Sequence, residues 1–277
     1  RIAIFNIRTA EELAGLAKLV RNGNSMKNTM INLVSDVTLN DTTNFDNWDE
    51  QPPANNWTAI GAVPIEAPNV NVVMTIQPEC RNTVFAGMFN GNGHTISGMY
   101  SLHHNYAGLF ARTSGIITNV IVKDSYIQCI NTQKVESGDT ALWEACAGGI
   151  TAICDRGVIS HCEFDGKIFA SGLNQVGYGT HGSFAGGIVG KFSDDENGVA
   201  AVVMMFALVP AGFLINPALF LTASGQQVIT APGIYSCINR GSIYTEHGTD
   251  ENGAGGIIGA GGLYTVRNPD FAVFYCL

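Results

Sequence analysis

One phrase recurs along this chain and restricts what it can fold into. Ala107-Gly108-Leu109-Phe110, Ala147-Gly148-Gly149-Ile150, Ala185-Gly186-Gly187-Ile188 and Ala254-Gly255-Gly256-Ile257 are four copies, their starts separated by 40, 38 and 69 residues. Downstream, Ile117-Thr118-Asn119-Val120, Ile159-Ser160-His161-Cys162 and Ile234-Tyr235-Ser236-Cys237 each place an apolar residue three after an Ile, and Ile127, Ile168 and Ile243 close the units. Repeats of about 40 residues cannot bury an apolar face alone, so they must stack on one another. The phrases are too short and too rich in Gly for the 3.6-residue stripe of an α-solenoid. No Trp-Asp phrase of a propeller blade is present. The pattern predicts an all-β fold, a right-handed parallel β-helix (β-solenoid) in one domain, 1–277, with each 40-residue unit making two coils of about 20. Equivalent residues then stack: Val120, Cys162 and Cys237 form one interior column and Ile127, Ile168 and Ile243 another. The paired glycines sit at corners where a Cβ would clash.

The remainder of the chain divides around these repeats. Thr9 and Glu12 form a capping box, Leu13, Leu16, Ala17 and Val20 fall on one helical face, and Asn22-Gly23 supplies a left-handed stop. A helix over about 10–21 is therefore expected as a lid on the end of the solenoid, within an N-terminal cap and first coil spanning 1–39. Strand-like runs follow at Thr29–Leu33 and Asp36–Leu39, then a long loop, 40–69. Early coils occupy 70–105, with a tight positive-φ turn at Asn90-Gly91-Asn92-Gly93, and the Gly-rich repeats fill 106–277. The third repeat is interrupted: Ala147 to Ile159 is 12 residues but Ala185 to Ile234 is 49, which marks an insertion at 194–230. Val199–Thr222 carries no charge. Pro210, Pro217 and the resumption of the repeat favour a helical hairpin docked on the solenoid over a membrane contact through 199–222.

Composition sets further bounds. Charged residues are 13% of the chain against a usual level of about 25%, and the net charge is −9. No Lys/Arg cluster exceeds two neighbours, so nucleic acid is excluded as a partner. The seven cysteines, Cys80, Cys129, Cys146, Cys154, Cys162, Cys237 and Cys276, form no C-x-x-C pair and read as small buried hydrophobes. Arg1-Ile2-Ala3-Ile4-Phe5 does not look like a signal peptide, and the extracellular reading takes one to have been removed.

In order along the chain, Ile7-Arg8-Thr9-Ala10-Glu11-Glu12-Leu13, Ile31-Asn32-Leu33, Trp57-Thr58-Ala59-Ile60-Gly61, Phe89-Asn90-Gly91-Asn92-Gly93-His94-Thr95-Ile96 and the Ala-Gly-Gly-Ile phrases resemble the GLUG-motif repeat proteins of bacterial surfaces. The resemblance covers about residues 7–39, 57–61 and 84–266, less the insertion. It implies a pectate-lyase-like β-helix exported to the cell surface, adhesin-like, with no shared catalytic motif. Arg112 departs from it, standing where a turn glycine is commoner.

The chemistry-bearing residues are scattered. A glycosidase needs two carboxylates about 5–10 Å apart, and the candidates are Asp46, Asp49 and Glu50; Glu136 and Asp139; and Asp155, Glu163 and Asp165. Each reads more simply as a solvated loop charge. Asp194-Asp195-Glu196-Asn197-Gly198 lacks the alternating spacing of a calcium loop. His103 and His104 are strand neighbours that point apart, and His94 and His161 occupy structural slots. Trp48, Trp57 and Trp143, with Phe45, could stack on sugar rings but more simply pack their loops onto the coils. The sequence thus points to an extracellular module for adhesion or ligand binding, taking glycans or host or cell-surface proteins. Catalytic, cofactor-binding and metal residues are expected to be none. A carbohydrate-active β-helix enzyme, a polysaccharide lyase or glycosidase, is the alternative.

Overall fold

A computed structural model describes residues 2–62, 84–131, 144–172, 182–193, 233–246, 251–261, 272–274 and 276–277. The chain is mostly β, and every strand pairing among these residues is parallel. Sheet 1 has seven strands: Ala3–Ile7, Thr29–Leu33, Met88–Asn90, Ile116–Thr118, Val158–Ser160, Gly233–Tyr235 and Ala272–Phe274. Sheet 2 is built on the long strands Ile121–Ile130 and Glu163–Ser171. Thr95–Ser97 and Tyr100–His103 lie on one side of them, and Ile238–Asn239 and Ser242–Glu246 on the other. Sheet 3 joins Tyr106–Ala107, Ala145–Gly148, Gly182–Gly186 and Glu251–Gly255, and sheet 4 joins Phe110–Thr113, Thr151–Asp155, Val189–Ser193 and Ile258–Gly261.

From Met88 onward, successive described strands visit the sheets in the fixed order 1, 2, 3, 4. One 28-residue circuit, from Phe89 to its partner Ile117, already touches all four. The next, from Ile117 to Ile159, takes 42 residues and also touches each sheet once. This corrects the expectation of two coils of about 20 per repeat. The Ala-Gly-Gly-Ile and Ile-x-x-Cys phrases lie on different sheets and never pair with each other, so one repeat is one circuit. The lengthening enters where the chain passes from sheet 2 to sheet 3, across 132–143 and 173–181, and from sheet 4 to sheet 1, across 194–232.

The expected columns are present. Ile127, Ile168 and Ile243 are in direct register. Val120, Cys162 and Cys237 each precede an aligned strand start and are fully buried. A third column runs through Ile31, Phe89, Ile117, Ile159 and Ile234. These side chains belong to one continuous core, in which Phe110 meets Phe85 at 5.0 Å and Phe89 at 5.4 Å between ring centroids. Each such fully buried side chain contributes roughly 1.5–3 kcal/mol.

Two kinds of corner turn the chain. Between sheets 1 and 2, Asn119, His161 and Ser236 all adopt left-handed backbone at φ 51 to 54°, which gives the polar slot of the repeat its purpose. Asn92 and Gly93 do the same at the earlier corner, as the Asn-Gly spacing predicts, although the strands they join lie in different sheets. Between sheets 3 and 4 the glycine pair is required by close approach. A Cβ on Gly148 would stand 1.9 Å from the Thr151 carbonyl oxygen, and one on Gly149 would stand 2.2 Å from that of Gly187 and 2.5 Å from the Phe164 ring.

The helix forms at Ala10–Arg21, with Leu13, Leu16, Ala17 and Val20 buried. The Thr9 hydroxyl accepts from the Glu12 N–H at 3.2 Å, while the Glu12 carboxylate accepts from Arg8 N–H at 2.6 Å, one residue before the cap itself. Gly23 takes the left-handed stop at φ +93°. Of the expected loop, the described part is irregular except for a 3₁₀ turn at Phe45–Asn47 and a bridge from Ile60 to Phe110. The first part of the expected early coils (70–83), the insertion 194–230 and the segment 199–222 lie outside the described residues. No helix among the described residues is long and apolar enough to cross a membrane.

Two glycines should respond in opposite directions. Gly148→Ala forces a Cβ into backbone and should cost at least about 2 kcal/mol of stability in a urea titration. Gly15 is a helical glycine with open space around its Cβ position, and Gly15→Ala should gain about 0.5–1 kcal/mol.

Candidate functional site

The carboxylates proposed for catalysis are distributed over three places. Asp46, Asp49 and Glu50 are exposed on the loop that carries the 3₁₀ turn. Asp155 is buried on sheet 4, where its Oδ2 accepts from Arg112 Nη2 at 2.7 Å and Nε at 2.9 Å. Arg112 is thus a strand residue paired across to the next circuit, and not part of a turn. Glu163 and Asp165 do share the outer face of sheet 2, two residues apart on one strand, at roughly 7 Å by strand geometry. Each lies beside a cation: Arg240 Nε donates to Glu163 at 3.0 Å, and Asp165 is in register with Lys123. Glu136, Asp139, Trp143 and the acidic run 194–198 lie outside the described residues. Among the described residues no group of three His, Cys, Asp or Glu side chains could hold a metal ion.

Three of the described histidines have structural partners. His103 is buried and its Nδ1 accepts from the N–H groups of Asn105 and Tyr106 at 3.2 and 3.1 Å. His104 Nδ1 lies 3.0 Å from the Ile130 carbonyl oxygen. His94 lies 3.2 Å from Asp36, whose carboxylate also accepts from Thr95 N–H at 2.8 Å. The Thr95 N–H first, and then His94, hold the Asp36 carboxyl below the usual aspartate range. The two described tryptophans are buried at 2% and 5% exposure, which fixes them as packing groups. Trp48 meets Phe45 and Tyr100 edge-on, and Trp57 Nε1 donates to the Leu109 carbonyl at 3.4 Å.

The cysteines form a ladder. Cys162 Sγ lies 3.8 Å from the Ile117 carbonyl oxygen, Cys237 Sγ 3.8 Å from that of Ile159, and Cys276 Sγ 3.9 Å from that of Ile234. Cys162 and Cys237 lie closer still to a carbonyl of their own circuit, Ser160 at 3.3 Å and Tyr235 at 3.4 Å, so the single thiol hydrogen has an acceptor there and the Ile of the circuit before is a longer contact. Cys276 also belongs to the repeat pattern. Val273 pairs with Ile234, so Val273-Phe274-Tyr275-Cys276 is a fourth copy of the Ile-x-x-Cys phrase with Val for Ile. Burial pushes the thiols of Cys129, Cys154 and Cys237 far up. Cys146 is raised too, by burial and then by Glu144. Groups kept protonated in this way are poor nucleophiles and poor metal ligands.

Sequence reasoning missed two surface features. On the outer faces of sheets 3 and 4, Cys146, Ala152, Ile153 and Phe184 make a second, smaller apolar cluster. Lys191 Nζ sits 5.3 Å above the Phe184 ring and bonds Glu144 at 2.5 Å. On sheet 1, Ile4, Met30, Met88, Ile116 and Val158 are in register on the outer face. Beside them runs an open groove that crosses consecutive circuits, with Ile2, Met30, Met88 and Ile116 in its lining and Arg156 at its far end. Asn32 and Asn90 form a polar column alongside. The lining mixes apolar side chains with Asn28, Thr29, Ser114 and Arg156, so the groove offers both apolar and polar contacts.

No family model matches the chain, and no curated protein matches it. Among solved structures it is similar to a "putative immunoglobulin A1 protease from Bacteroides ovatus", at 15% identity and a TM-score of 0.45, over 93% of this chain and 52% of that one. The chain thus spans about half the length of that protein.

Two outcomes follow from this geometry. Val120 fills the slot of Cys162 one circuit earlier, so Cys162→Val should change stability by less than about 1.5 kcal/mol, and Cys162 should resist a thiol reagent at pH 8 until the protein unfolds. Asp36 has the lower pKa when folded, so its contribution to stability is present above the unfolded value of about 3.9 and is lost as pH falls through the folded value. Asp36→Asn should lower the melting temperature at pH 7 and flatten its decline below about pH 4.

Proposed function

We propose that the four parallel sheets are the faces of a right-handed parallel β-helix, displayed outside the cell, that binds a ligand and does not turn one over. Right-handedness is supported by the strong preference of parallel crossover connections for that hand. The ordered phrases shared with GLUG-motif surface proteins support export and an adhesin-like role. The observation that carries the binding reading is the groove on sheet 1. It is lined by side chains on successive circuits of a register-locked scaffold, Met30, Met88 and Ile116 among them, beside the short connections Ser114-Gly115 and Arg156-Gly157. Loops and grooves on such scaffolds are where binding function concentrates. Glycans and host or cell-surface proteins are the partners proposed.

A panel of glycans and surface proteins tests this directly. Wild-type protein should bind at least one class. Met88→Lys, which places a charge in the groove without touching the core, should weaken that binding at least tenfold with an unchanged circular dichroism spectrum. Depolymerisation of a polysaccharide, abolished by Glu163→Gln or Asp165→Asn, would overturn the proposal in favour of a carbohydrate-active enzyme.

A further inference from the structure

The groove on sheet 1 has two rails, both set by register. Met30, Met88, Ile116 and Val158 occupy matching positions on four successive circuits, and together they line it. Asn28, Ser114 and Arg156 stand two residues before Met30, Ile116 and Val158 and line it as well. Between the rails, Gly87 and Gly115 carry no side chain. A Cβ on Gly87 would stand 2.6 Å from the Met26 carbonyl oxygen, and one on Gly115 would stand 2.1 Å from that of Gly87. The result is a trough of about 350 Å³ that runs across the strands, along the direction in which the circuits stack. Paired strands lie about 4.8 Å apart, so three spacings give an apolar rail of roughly 14 Å.

The chemistry of the lining narrows the occupant. Among the described lining residues there is no aromatic ring for a sugar to stack on, and no carboxylate to receive a cation or a basic peptide. Two of the four apolar positions are thioethers, and unbranched Met adapts to a flexible apolar chain. Arg156 is the one charged residue of that lining and stands at one end of it. It is half-exposed and leaves the corner from a left-handed backbone at φ 56°. Arg156 has an interaction of its own, and the five N–H donors of a guanidinium leave room for a further acceptor. Ser114, exposed one circuit back, adds a hydroxyl. The complementary ligand has one anionic end and one linear apolar tail. With a C–C bond of about 1.5 Å, an extended acyl chain advances about 1.25 Å per carbon, so about eleven carbons cover the rail.

We propose that the sheet 1 groove is a site for a single medium-chain acyl carboxylate, its head held by Arg156 and Ser114 and its tail laid over Ile116, Met88 and Met30. The proposal rests on the reading of this groove as a binding surface and adds a ligand class to it. A carboxylate meets a guanidinium through parallel N–H···O bonds, while the tail gains with each methylene that leaves water. A trough of this size holds one chain, so the occupant is the free monomer and not the face of a bilayer.

Equilibrium dialysis of the full chain against radiolabelled decanoate, below its micelle concentration, reads the outcome. One equivalent should bind. Across hexanoate, octanoate and decanoate the affinity should rise about two- to fourfold per added methylene, as burial of a CH₂ group implies. Past about twelve carbons the tail outruns the rail and the gain should stop. Arg156→Gln should raise the dissociation constant for decanoate at least tenfold, about 1.4 kcal/mol, and leave that for neutral decanol within twofold. Met88→Asp should weaken both ligands with an unchanged circular dichroism spectrum. Anionic phospholipid vesicles should not sediment the protein. No binding of decanoate, equal binding by Arg156→Gln or Met88→Asp, or binding to vesicles without binding of the monomer would each overturn the proposal. Should a glycan or surface protein bind in a manner lost with Met88→Lys while decanoate does not bind, this proposal falls and the binding reading of the groove stands. Should decanoate alone bind there, the proposal stands and the glycan and protein partners fall.

Discussion

Everything in this molecule depends on register. Neighbouring circuits are joined by parallel ladders, and a slip of one residue would exchange every inward side chain for an outward one. Ile31, Phe89, Ile117, Ile159 and Ile234 therefore occupy one interior column although the segments between them differ widely in length. The ladder keeps the side chains of an interior column apolar while letting size vary, as Phe89 does among isoleucines. Val120 and the three cysteines aligned with it satisfy that condition, and the thiols of Cys162 and Cys237 lie within reach of a carbonyl of their own circuit. The cysteine column is thus a packing device with a hydrogen bond attached.

Register also explains where polar groups go. At the sheet 1 to sheet 2 corner a left-handed residue is needed, and short polar side chains tolerate that conformation best. Asn119, His161 and Ser236 stand there in successive circuits. On the outer faces, charges pair between circuits, as Arg112 does with Asp155 and Arg240 with Glu163. These partly buried pairs consume several of the carboxylates that a catalytic reading would have used. What remains open is the groove of sheet 1, lined by Met30, Met88 and Ile116.

Much of the fold was legible in the sequence, because the parts that repeat are the parts under register control. The Ala-Gly-Gly-Ile and Ile-x-x-Cys phrases, the two interior columns and the helix boundaries were all readable from spacing alone. The length of a circuit was misread because phrases from adjacent sheets look alike when sheet membership is unknown. The fourth Ile-x-x-Cys copy was hidden by a single Ile to Val change at Val273. Ion pairs such as Arg112–Asp155 join residues 43 positions apart and leave no local pattern. The groove was equally hidden, since Met30, Met88 and Ile116 are aligned only after the circuits are stacked.

The unequal corners have an evolutionary reading. At the sheet 1 to sheet 2 and sheet 3 to sheet 4 corners the connections stay within a few residues, because left-handed positions or close glycine contacts fix the turn. At the other two, extra chain enters and leaves without disturbing the ladder on either side. Closing a flexible segment costs only about 0.6 kcal/mol for each doubling of its length. Such a molecule can try out new surface almost without thermodynamic penalty, at sites that all lie along two of its edges. Its register-locked interior and its length-tolerant connections are encoded in alternating stretches of one chain, so that new surface can be added beside a core that need not change.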